Sequence, residues 1–78
     1  MARDYYAEAE VVCQDLERSG RPDLAQGLRD AKARGSTATE ILMGLRWKLQ
    51  QALEEEAGLG SAEVSVRALK KSLDEVLQ

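Results

Sequence analysis

The chain has 78 residues, with 14 acidic and 11 basic side chains for a formal net charge of −3, one cysteine, one proline, no histidine and no phenylalanine. That length holds a single domain with a thin core, burying roughly 60–65% of the surface its unfolded chain exposes. The counts exclude an internal disulfide, a His/Cys zinc site and every nucleophile system that runs through an imidazole.

Alanine and leucine occur 11 times each and glutamate 9 times, whereas β-branched and aromatic residues are few. These are strong helix formers, so the expected class is all-α. Glycines at 20, 35, 58 and 60 punctuate the chain, and the segments between them read as helices. The Ala, Leu, Arg and Gly bias suggests a GC-rich bacterial genome.

The first helix is expected over about 4–19. Tyr5, Ala9, Val12 and Leu16 form one apolar stripe, with Tyr6 and Cys13 beside it. One of the two tyrosines is expected to anchor on the core. Gly20 suits the left-handed residue that ends a helix. Cys13 reads as a small buried hydrophobe, because its neighbours on the helix face bring no cation that would make it a thiolate.

The second helix is expected over 22–34. Pro22 fits the first helical position, and Asp23 follows it at the positive end of the helix dipole. Leu24, Leu28 and Ala31 make a short stripe, and Gly35 ends the helix.

The third helix is expected over about 38–57. Thr37-Ala38-Thr39-Glu40 is a capping box: the Thr37 hydroxyl accepts from the Glu40 N–H, and the Glu40 carboxylate reaches back to the Thr37 N–H. Ile41, Leu42, Leu45, Leu49, Ala52 and Leu53 share one broad arc, and Met43 and Trp47 fall almost opposite it. Gly44 lies beside that pair and Gln51 continues its row. A helix apolar on two faces is either central in its bundle, with the first or fourth helix covering Trp47, or it carries a contact surface. On the second alternative Met43, Gly44, Trp47 and Gln51 are the candidate protein-interaction residues. Arg46 is expected to be solvated, or to pair with Gln50 or an acid from another helix. Glu54, Glu55 and Glu56 read as a solvated last turn.

The fourth helix is expected over 62–77, with Ser61 as N-cap. Ala62, Val66, Leu69, Leu73, Val76 and Leu77 share one face, and Arg67, Lys70 and Lys71 lie on the other. Short connections make consecutive helices antiparallel neighbours, giving a four-helix up-down bundle or an irregular four-helix array.

The pattern carries no catalytic set, and no cofactor, metal or small-molecule substrate is expected. Gly58 and Gly60 lack the Lys-Ser/Thr of a phosphate loop. The second and third helices could be read as a helix-turn-helix, but Arg34 and Gly44 stand where that motif is apolar, and the net charge is wrong for DNA. No apolar run approaches the ~20 residues of a membrane span, and the start of the chain lacks a secretion signal's apolar core. The expectation is a non-enzymatic cytoplasmic protein that acts by protein–protein contact, self-associating as a homodimer or else binding another protein. An acidic inhibitor, immunity or antitoxin-type protein is the alternative, with a small DNA-binding regulator behind it.

Overall fold

The computed structural model describes residues 4–55 and 59–77. Four helices span them: α1 (Tyr5–Arg18), α2 (Pro22–Arg34), α3 (Ala38–Glu55) and α4 (Ala62–Val76). Glu56, Ala57 and Gly58, where the sequence puts the end of the third helix and the first loop glycine, lie outside the described residues.

Local chemistry sets each boundary. Asp4 starts α1 from outside, its carboxylate accepting from the Tyr6 and Ala7 N–H groups at 3.1 Å each. At the other end Gly20 sits at φ +80°. The Arg21 N–H reaches the Leu16 carbonyl at 2.8 Å and the Gly20 N–H reaches that of Glu17 at 3.1 Å. This paired closure satisfies carbonyls the helix leaves orphaned, and it needs a left-handed residue between them.

Pro22 occupies the first turn of α2 as expected. Gly35 ends that helix in an extended conformation, and its role is space. A Cβ there would run into the Ile41 side chain and lie 2.9 Å from the Ile41 nitrogen. The capping box of α3 forms in one arm, with the Glu40 N–H donating to Thr37 Oγ1 at 3.1 Å. The Glu40 carboxylate turns to hydroxyls for its return arm, accepting from Ser36 at 3.2 Å and Thr37 at 3.4 Å.

Ser61 stands at the N-cap of α4, but its side chain makes no capping bond. Its backbone is already helical, which turns the hydroxyl away from the free N–H groups. A backbone turn serves them instead: Ala62 donates to Leu59 at 3.0 Å and Glu63 to Gly60 at 3.3 Å.

The pairing of side chains gives the topology. Between α1 and α2, Cys13 meets the Ala25 carbonyl and Tyr6 meets Lys32. Between α2 and α3, Gly44 abuts Ala31, Gly27 abuts Lys48, and Arg21 pairs with Glu55 at 3.6 Å. Arg46 faces Asp74 across α3 and α4, and Ser65 donates to Asp15 at 2.6 Å across α4 and α1. Each register runs antiparallel, and α4 closes back onto α1, so the four helices form an up-down ring. Gly27 and Gly44 let α2 and α3 lie side by side along their length, a hairpin and not the crossed pair of a helix-turn-helix.

The core is aliphatic. Val12, Leu16, Leu28, Leu45, Leu49, Val66, Leu69 and Leu73 fill it, with alanines at the helix crossings. Leu59, in the connection to α4, is buried at 1% exposure. The face expected of the fourth helix is corrected at its end: Val76 is 47% exposed, whereas Leu77 packs against the core.

Candidate functional site

Leu45, Leu49 and Ala52 of α3 point into the ring and are buried. At roughly 100° per residue, Trp47 and Met43 project to the opposite side. The sequence leaves open whether another helix covers them, and the structure leaves them uncovered. Trp47 is 61% exposed and Met43 50% exposed. α2 and α4 flank α3 from its two sides, and neither can reach over its back. The chain therefore keeps its largest side chain outside its buried aliphatic core.

The other two candidates part from this pair. Gly44 faces α2, where a Cβ would lie 3.4 Å from the Ala31 Cβ. Its smallness serves helix packing. Gln51 is exposed but borders the opposite groove, alongside Asp23, Leu24, Gly27 and Lys48. Met43 and Trp47 instead border the groove between α3 and α4, with Arg46, Gln50, Lys70 and Asp74.

Charge in that groove is arranged around one carboxylate. Lys70 Nζ donates to Asp74 at 2.7 Å, an i, i+4 pair on α4. The Arg46 guanidinium reaches the same carboxylate from α3 at 3.9 Å, too long for a hydrogen bond. Among the described residues the Arg46 side chain makes no hydrogen bond, and it is 37% exposed. One turn toward the start of α4, Arg67 pairs with Glu63 at 3.0 Å, and Lys71 is exposed. The basic face expected of the fourth helix is thus real, but Lys70 is drawn inward to the α3 boundary. Its alignment with Arg46 depends on the register of two helices and has no sequence signal.

Away from this groove, ion pairs tie α1 to α2. Arg29 of α2 bridges to Glu10 at 2.8 Å and Glu17 at 2.9 Å on α1. Its hydrogen bonds hold both carboxyl groups below the ordinary glutamate value, and the two glutamates push the guanidinium above its own. Arg21 likewise holds Asp23 low through a hydrogen bond at 3.1 Å. Cys13 is buried, and its thiol donates to the Ala25 carbonyl at 3.5 Å. Burial pushes its pKa up, against an opposing pull from Arg29. The sequence reading of Cys13 finds no nearby cation because Arg29 comes from a different helix, yet desolvation still dominates.

Tyr5 packs on the core, and Tyr6 lies under Lys32 with the ammonium 5.6 Å from the ring centre. Among the described residues, no group of three or more Cys, Asp or Glu side chains is placed to hold a metal ion, and no helix is long and apolar enough to cross a membrane. Comparison with protein-family models, with curated proteins and with solved structures finds no match to this chain.

Proposed function

We propose that this protein acts by protein–protein contact, with the outer face of α3 as the contact surface and a second copy or another protein as the bound chain. The observation that carries this is the paired exposure of Trp47 at 61% and Met43 at 50% on a helix whose other face is the core. Tryptophan and methionine are enriched at interface centres, where burying a large polarisable side chain returns most per residue. Here the two are i, i+4 neighbours and form a single ridge. Binding in place of catalysis is favoured because the charged clusters away from this face are already ion-paired for structure, and the one thiol is buried and held protonated. A reducing, cytoplasmic setting accords with that free thiol.

Site-specific photo-crosslinking tests the surface in cells that express the protein. A benzophenone side chain at 43 or 47 is expected to yield protein adducts, and the same group at Val64, exposed elsewhere at 76%, is expected to yield none. An adduct of twice the 8.6 kDa chain would mark self-association, and any other mass a different partner. Equal labelling from all three positions, or none from 43 and 47, would overturn the assignment.

A further inference from the structure

Resting on that contact surface, we infer that its occupant is an acidic amphipathic segment of another protein, seating an apolar side chain against Trp47 and Met43 and a carboxylate on Arg46. The groove between α3 and α4 is continuous, since the stretch beside Trp47 and the stretch beside Leu53 share Gln50, Lys70 and Asp74. Its walls carry the cations Arg46, Arg67, Lys70 and Lys71 against the carboxylates Glu54 and Asp74, with Glu63 paired to Arg67 at its edge, which leaves an excess of one positive charge. A chain of net charge −3 thus presents a locally basic groove beside its most exposed aromatic side chain.

The pairing within the groove is also incomplete. Asp74 is shared, and its short bond goes to Lys70. Arg46 is left at 3.9 Å, an ion pair without a hydrogen bond. An incoming carboxylate would give that guanidinium the bidentate partner it lacks. A second copy fits less well, because a two-fold contact across α3 places this basic groove against itself. Two large exposed side chains also fall short of the ~800 Å² per partner that a stable interface of standard size buries. They suffice for one anchored helix or strand.

The test uses the full chain and two synthetic peptide sets of identical apolar pattern. Each carries a central Leu or Phe, flanked in one set by Asp and Glu and in the other by Lys and Arg. Trp47 is the only tryptophan, so its emission reports binding directly. The acidic set is expected to bind about tenfold or more tighter than the basic set at low salt, and to weaken several-fold between 50 and 200 mM salt. Arg46→Glu is expected to abolish the preference. Lys32→Glu changes the net charge equally but lies over Tyr6 on the far side, and is expected to preserve it. Circular dichroism confirms that both variants fold.

Equal binding of both sets, preference for the basic set, or no binding of either would overturn the inference. So would a dimer in sedimentation that Trp47→Ala dissolves. That last result would leave the α3 face as a contact surface and change only its occupant.

Discussion

Single residues divide here by what a β-carbon or a ring would touch. Gly35 and Gly27 are both helix-associated glycines, and opposite outcomes are expected on substitution. At Gly35 an added Cβ meets the Ile41 side chain and backbone, so Gly35→Ala should destabilise by about 1–3 kcal/mol, the usual cost of overpacking. At Gly27 the nearest atom is the Lys48 Cδ at 3.7 Å, an ordinary contact with a flexible stem. Gly27→Ala should therefore gain about 0.5–1 kcal/mol from helix propensity and a less disordered unfolded chain. Urea titration of the two variants beside the parent checks both signs; the same sign for both would refute this account of the α2–α3 contact. The sequence shows two glycines and two helices, but it cannot show which glycine faces a backbone. Trp47 has the same limit. Its place opposite the leucines of α3 follows from spacing, whereas its exposure depends on where the neighbouring helices sit.

At the scale of elements, period and punctuation were nearly sufficient. The bounds of α1 and α2 and the start of α3 fall within a residue of those expected, because Asp4, Gly20, Pro22 and the Thr37–Glu40 box act locally; those of α4 do so although the Ser61 side chain makes no capping bond. Contacts between elements were not legible. Leu59 lies outside any periodic stripe and is buried, and Ala25, the i, i+3 neighbour of Leu28, is buried beside Cys13 of α1. The joint between α1 and α2 shows what such contacts do. Arg29 on α2 holds Glu10 and Glu17 on α1, and both carboxyl groups have folded pKa values below the ordinary 4.5. A depressed carboxylate pKa gives stability that is present above the unfolded value and lost as pH falls through the folded one. The joint should therefore contribute fully at pH 7 and fade below about pH 4.5. Melting temperatures of the parent and of Arg29→Met, taken at pH 7, 5, 4 and 3, should differ most at neutral pH and converge on acidification. A gap that stays constant would show that Arg29 acts through packing of its stem and not through its charge.

For the whole molecule, the consequence of a leucine, valine and alanine core is a narrow margin. A chain of 78 residues holds about 4–12 kcal/mol of stability by ordinary scaling. Leu49 is fully buried where α3 faces the ring, and truncating such a side chain costs about 2–5 kcal/mol in transfer and cavity energy. Leu49→Ala should thus remove a large share of the total and lower the urea midpoint sharply, with an unchanged dependence on denaturant. Trp47→Ala deletes a larger side chain from a site 61% open to solvent, and it should shift stability by no more than about 0.5 kcal/mol. Far-ultraviolet circular dichroism measures both, since one variant lacks the fluorophore. A ring of four helices that tolerates the loss of its tryptophan and not of one leucine does not use that tryptophan to fold. If Trp47→Ala instead unfolds the chain as Leu49→Ala does, the α3 back face is part of the core, and the contact surface proposed there falls.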